Sequence, residues 1–288
     1  MRVVGAVGRV LVTLGLLMLA FAAFQLWGTG LYEARAQRGL RADLERSLAT
    51  TTTTRPTSPS TSSTTVPAPP PAPTGEAVAI IRIPRIGVDR AVVQGVGRAD
   101  LRKGPGHYPS TPLPGELGNA AIAGHRTTYG APFNRLDELQ VGDTIEVRTV
   151  AGDYRYAVTE QRIVKPTDLA VLDPTPTATL TLTTCHPKFS ARQRLVVHAA
   201  LVPTESGPVG TPAAAVAPDP STLDGPHGSP DTTGAIVWGV ATLAVGLAWW
   251  AAFHRRRHWT TWVIGFLPFA AVCFVWFGHL DRALPGNF

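Results

Sequence analysis

Cysteine is almost missing from this chain: Cys185 and Cys273 are the only two in 288 residues. Cys273 lies inside a hydrophobic run, so no disulfide framework is available to hold a fold together. Lysine is nearly as scarce, at positions 103, 165 and 188 only, so positive charge is carried by arginine. With abundant Ala, Gly and Pro, that bias reflects coding composition and carries no mechanistic weight. There is no internal repeat, which removes solenoids and propellers. No acidic cluster marks a calcium site, so no metal and no cofactor are expected. The formal net charge of +6 falls partly at membrane-flanking positions, so it does not indicate a nucleic-acid partner.

Long hydrophobic runs are present. They cover residues 10–27, 235–253 and 259–277. Each holds about 18–20 residues, enough to cross ~30 Å of hydrocarbon as a helix. The first has a basic start, Arg2 and Arg9, as a signal peptide would. It is long for a signal core, and the segment after it matches a cleavage site poorly. An uncleaved anchor is therefore favoured. The loop 254–258, His-Arg-Arg-Arg-His, is predicted to be cytoplasmic by the positive-inside rule. Residues 1–9 then lie inside as well. The intervening region and the tail 278–288 lie outside. Arg35, Arg38, Arg41 and Arg46 oppose this assignment mildly. The localisation predicted is a multi-pass cell-membrane protein with its soluble domain extracellular.

Two low-complexity stretches bound that domain. Residues 28–76 are read as a Thr/Ser/Pro-rich linker, of which 28–49 can briefly prolong the first helix. Residues 204–234 form a Pro/Gly/Ala-rich linker. Such compositions bury no core and remain extended. Residues 77–203 are long enough for one core and not for two. Their pattern is mainly period two. Strands are predicted at 78–83, 91–93, 119–123, 144–150, 154–164, 178–184 and 195–201. Helical patterning is confined to 133–140 and 166–172. The fold class is all-β, a closed or sandwich-like domain.

Cys185 closes the run Thr181-Leu182-Thr183-Thr184-Cys185. A lone exported thiol is either inert packing or a nucleophile. His125 lies 60 residues upstream, after a buried strand, and Arg194 lies 9 residues downstream at the head of the next one. These three types suffice for acyl transfer. The thiolate attacks, the imidazole accepts the proton, and a guanidinium or backbone amide stabilises the oxyanion. If the strands of Cys185 and Arg194 are neighbours, the loop between them would cover the cleft. His107, His186 and His198 compete for the role of His125, and Arg192 for that of Arg194. Arg126 reads equally as an exposed loop charge or a substrate contact. Thr184 is a β-former or a residue shaping the oxyanion site. A depressed Cys185 pKa is expected.

The segments 81–86, 114–119, Ala123-Gly124-His125-Arg126, Thr181 to Cys185 and Arg194 to Ala199 together resemble the sortases in order and spacing. Sortases are cysteine transpeptidases of Gram-positive cell surfaces. The run Gly124-His125-Arg126-Thr127-Thr128-Tyr129-Gly130 is most similar to class E, an actinobacterial group. The resemblance implies an eight-stranded sortase-type β-barrel with short helices. It implies catalysis by His125, Cys185 and Arg194, with Thr184, Tyr129 and Arg126 binding substrate. Tyr129 would face the second residue of the signal. The implied reaction cleaves a C-terminal Leu-Ala-X-Thr-Gly or Leu-Pro-X-Thr-Gly sorting signal between Thr and Gly. The acyl group then passes to an amine of a peptidoglycan precursor or a pilin. The implied partners are surface proteins bearing that signal, the precursor and the membrane. Two C-terminal spans depart from the common single-anchor layout. The alternatives are a membrane-tethered cysteine hydrolase and a non-enzymatic surface assembly module.

Overall fold

The computed structural model describes residues 2–53, 73–211, 231–253 and 259–284. The chain divides into two compact units. The first comprises residues 1–29 and 228–286. Helix α1 (Arg2–Ala23) ends in a π-helical turn, Phe24–Gly28. Helices α4 (Thr232–Phe253) and α5 (Trp259–Ala283) complete the unit. Here Gly239 and Gly246 let α4 approach the rings of Trp276 and Phe269. Phe21 and Phe24 meet Phe277 and Phe274 edge-on, at centroid distances of 5.4 and 5.1 Å. Gln25 donates to Asp281 at 2.9 Å. Among the described residues, two helical stretches have the length and composition to cross a membrane, 7–49 and 232–252. The third expected span is helical, as α5. The basic loop 254–258 and the stretches 54–72 and 212–230 lie outside the described residues.

The second unit begins at Gly30. Helix α2 (Thr29–Thr53) occupies the start of the region read as linker. Over Gly30 to Thr53 this corrects the linker assignment. Glu33, Gln37, Leu40 and Leu44 recur at helical spacing and are buried, so this segment has a face to hide.

Eight strands follow: β1 (Ala77–Ile83), β2 (Val88–Gln94), β3 (Gly106–His107), β4 (Asn119–Ala123), β5 (Thr144–Thr149), β6 (Gly152–Val164), β7 (Thr179–His186) and β8 (Gln193–Leu201). They close into a barrel in the order β1-β2-β3-β4-β7-β8-β6-β5. The pairs β2/β3 and β4/β7 are parallel, and the rest are antiparallel. The predicted strands are all present, extended by one to three residues at some ends. β3 is too short to leave a pattern. The helical readings at 133–140 and 166–172 shrink to 3-10 turns at Leu136–Glu138 and Leu169–Leu172. A single helical turn, α3 (Arg98–Leu101), had no sequence signal.

Alternate residues of the strands fill the barrel: Ile81, Ile83, Val92, Ile122, Ile145, Val147, Tyr156, Leu180, Leu182 and Val197 are all at or near zero exposure. Burying each such side chain contributes about 1.5–3 kcal/mol. The other faces of β4, β7 and β8 carry a second cluster. Ala121, Ala123 and Val196 pack there against Val164 at the end of β6 and against Leu101, Tyr108, Val171 and Leu172 from the covering segments. The fold continues past the expected end at 203. Gly210 donates to Gly115 and accepts from Leu117, so residues to 210 belong to it.

Candidate active site

Thr181, Thr183 and Cys185 share one face of β7, because strand side chains alternate. Leu180 and Leu182 occupy the other face and point into the barrel. Cys185 is therefore on the outer surface, beneath the covering segments. Antiparallel register sets Cys185 directly opposite Arg194 on β8. Directly opposed residues hold their Cβ atoms roughly 4.5–5.5 Å apart on the same face. Arg192 falls on the exposed connection before β8. On the other side, parallel β4 pairs Ala123 with Thr183. The Gly124 amide donates to the Thr183 carbonyl at 3.0 Å. Continued by two residues, this register brings His125 abreast of Cys185. The three residues thus come from three adjacent strands at one barrel end.

The close of β4 is shaped by sequence. A Cβ at Gly124 would lie 2.6 Å from the Phe133 ring, so only glycine lets the chain pass before His125. The Phe133 amide donates back to the His125 carbonyl at 3.1 Å. The Thr128 hydroxyl sits 3.3 Å from His125 Nδ1, and the Tyr129 ring packs 5.1 Å from the imidazole, centroid to centroid. Thr128 is an orienting residue without a sequence signal. A ring nitrogen fixed by one partner defines what the other presents.

The three rival histidines are committed elsewhere. His107 is 2.8 Å from both Gln94 Oε1 and the Pro112 carbonyl. His186 Nδ1 meets Arg126 at 3.1 Å, and His198 meets Thr181 at 2.9 Å. Thr184 donates to the Gly124 carbonyl at 2.7 Å. Its hydroxyl thereby clamps the end of β7 to that of β4. Arg126 is buried, so the reading as an exposed charge does not hold. It donates to the Cys185 carbonyl at 3.0 Å and pairs with Asp137 at 2.9 Å, which stiffens the strand end that carries the thiol. Arg194 Nη1 donates to the carbonyls of Ala191 and Gln193 at 2.9 and 3.2 Å. Those bonds tie the 187–192 connection back over the barrel end. The connection itself is largely exposed.

Cys185, His125 and Arg194 are 4%, 2% and 7% exposed, and this dryness decides their titration. Burial pushes the Cys185 thiol up to about 11, against the pull of the Arg194 and then the Arg126 guanidinium. This corrects the expected depression. Loss of hydration favours the neutral thiol by more than two nearby cations favour the thiolate. His125 is lowered to about 3, first by burial and then by Arg102. Burial thus favours the uncharged form of both groups. Among the described residues no group of three or more His, Cys, Asp or Glu is placed to hold a metal.

The sortase domain model matches residues 81–202. The sortase homologue YwpE of Bacillus subtilis is 30% identical over 106 residues, covering 36% of this chain and 92% of that protein. The chain belongs to the sortase family. Sortase SrtE1 of Streptomyces coelicolor is 30% identical over 228 residues, which are 73% of this chain and 60% of SrtE1. The match thus spans less than two thirds of that relative's length. Sortase SrtE2 of the same organism is 27% identical over 222 residues, or 71% of this chain and 84% of SrtE2. Both names agree with the class E resemblance, and the closed eight-stranded barrel is the fold it implied.

Proposed function

We propose that this sortase is a membrane-anchored cysteine transpeptidase. The observation that carries this reading is the register. Cys185 faces Arg194 across β7/β8, and β4 brings His125 alongside. The imidazole takes the thiol proton as sulfur attacks the carbonyl carbon of the signal threonine. The tetrahedral oxyanion forms beside the Arg194 guanidinium, whose charge is worth most in a water-poor site. His125 then protonates the leaving glycine amine, the C–N bond breaks, and a thioester remains on Cys185. An acceptor amine attacks the thioester, gives its surplus proton to His125, and the C–S bond breaks as the thiol is restored.

The substrate class is a C-terminal sorting signal of the Leu-Ala-X-Thr-Gly or Leu-Pro-X-Thr-Gly kind. The acceptor is an amine of a peptidoglycan precursor or a pilin. The helices at both ends of the chain hold the barrel at the membrane, with α1, α4 and α5 as spans and the barrel on the extracellular side.

The test is to incubate the full-length protein in detergent with each signal peptide plus hydroxylamine, and to weigh the products. A threonine hydroxamate that disappears in Cys185→Ala establishes transpeptidation and ranks the two signals. Free threonine carboxylate despite the amine would replace it with hydrolysis. Hydroxamate persisting in Cys185→Ala would remove Cys185 as nucleophile.

A further inference from the structure

The loop that carries His125 and Tyr129 is backed by an element outside the barrel. Tyr129, Gly130 and Ala131 have φ values of 49°, 71° and 44°. Three successive left-handed residues, two of them with a Cβ, do not hold that path unaided. Helix α2 holds it. A Cβ on Gly130 would lie 2.6 Å from the Glu33 carboxylate. A Cβ on Gly30 would lie 3.8 Å from the Gly130 amide nitrogen. The Tyr32 ring meets the Tyr129 ring edge-on at 6.3 Å. Tyr129 in turn lies against His125, with the Arg102 guanidinium 5.5 Å from its centroid.

The helix itself is locked to the barrel. The Gln37 amide bridges the edge of β2. Its Nε2 donates to the carbonyls of Ala91 and Lys103 at 2.9 and 2.8 Å, and its Oε1 accepts from the Ala91 amide at 2.8 Å. The buried Glu33 carboxylate pairs with Arg90 at 2.9 Å. Leu40 packs on Ala91 and Val93, and Arg41 pairs with Asp89. A side-chain amide inserted into a strand edge and a buried ion pair fix position far better than apolar contact alone.

We propose that the segment of α2 from Gly30 to Arg41 is part of the active site, with Tyr32 and Tyr129 acting as positioning residues that set the imidazole of His125. The catalytic unit then starts near Gly30 and not at Ala77. A tether usually tolerates changes in sequence; this one does not, because its inner face is the outer wall of the His125 loop. The proposal rests on the reading of His125 as the proton carrier.

The experiment uses full-length protein in detergent, the signal peptides with hydroxylamine, and hydrogen exchange read over 125–131. Tyr32 is 54% exposed, so Tyr32→Ala folds. It is expected to lower kcat about tenfold with KM within about twofold, since displaced catalytic groups cost rate rather than affinity. Exchange over 125–131 should rise with it, and Tyr32→Phe should restore both, because the contact needs the ring and not the hydroxyl. Gln37→Ala, which releases the helix at β2, should show the same split. Unchanged kcat and unchanged protection in both variants would overturn the proposal. So would a rise in KM alone, which would make Tyr129 a substrate contact. If the unsubstituted protein makes no hydroxamate, the acyl-transfer reading falls by itself. Loss of protection over 125–131 in the variants would then still show the coupling, and its retention would refute it.

Discussion

The two faces of β7 and β8 are built on opposite rules within the same residues. Toward the barrel stand Leu180, Leu182, Leu195, Val197 and Ala199, all apolar and without contact to water. Away from it stand Thr181, Thr183, Arg194 and His198, tied into hydrogen bonds with Asn119, Tyr108 and neighbouring carbonyls, together with the thiol of Cys185. Both faces are dry except at His198, which is partly exposed. The inner face is held by volume, so its cost of change is set by cavities. The outer face is held by partners, so its cost is set by which polar atom is left alone. Catalysis belongs on the second, where a charge that appears during reaction meets prepositioned groups instead of solvent.

The strongest way to separate the faces is Leu182→Ala. It opens a cavity at the centre of the barrel and is expected to cost about 2–5 kcal/mol in urea unfolding. The fraction that remains folded should keep its specific transpeptidation rate. If instead rate falls with stability intact, the inner face is not the passive support described here. The converse substitution is Arg194→Lys. It keeps the charge and removes the planar fork, so kcat should fall about 10²–10³-fold, with a loss of about 1–3 kcal/mol in unfolding from the carbonyls of Ala191 and Gln193. A lysine variant near full activity would show that charge alone suffices opposite Cys185.

The resting protonation state sharpens the contrast further. Alkylation of Cys185 by iodoacetamide follows the thiolate. With the thiol pushed up to about 11, the rate should rise roughly tenfold per pH unit through pH 9 without levelling. In denaturant it should level in the ordinary range near 8.5. A rate already flat at pH 7 in the folded protein would mean that the guanidinium charges outweigh burial.

The proposed catalytic residues were readable in the sequence, because Cys185, His125 and Arg194 sit in local motifs at strand ends. The strands were readable where alternation runs for five residues or more, as in β4 to β8. Other features were not. β3 has two residues and no period. The parallel pairing of β4 with β7, which brings His125 to the thiol, joins segments about 60 residues apart and leaves no local trace. The thiol's raised pKa depends on burial, which alternation along β7 alone does not reveal. The docking of α2 was hidden in composition: its buried stripe mixes Glu33 and Gln37 with Leu40 and Leu44, so the partners in β2 and the His125 loop, not apolarity, define it.

The smallest effect tests the least visible part of the outer face. Thr181 donates to Asn119 Oδ1 at 2.7 Å and meets His198 Nδ1 at 2.9 Å. Asn119 uses its amide nitrogen on the carbonyls of Val171 and Asp173, at 3.0 and 3.2 Å. Thr181 thereby orients the group that pins the segment covering Cys185. Thr181→Val keeps the shape and removes the donor, leaving Asn119 Oδ1 buried without it. A loss of about 1–2 kcal/mol in unfolding is expected. Hydrogen exchange at 169–173 should accelerate, because its anchor has lost its fixed orientation. The transpeptidation rate should change less than about threefold, since no reacting group is touched. A large rate loss at unchanged exchange would mean that Thr181 reaches the thiol through β7 itself. The outer face would then have to be treated as one coupled network rather than a catalytic trio on a separate support.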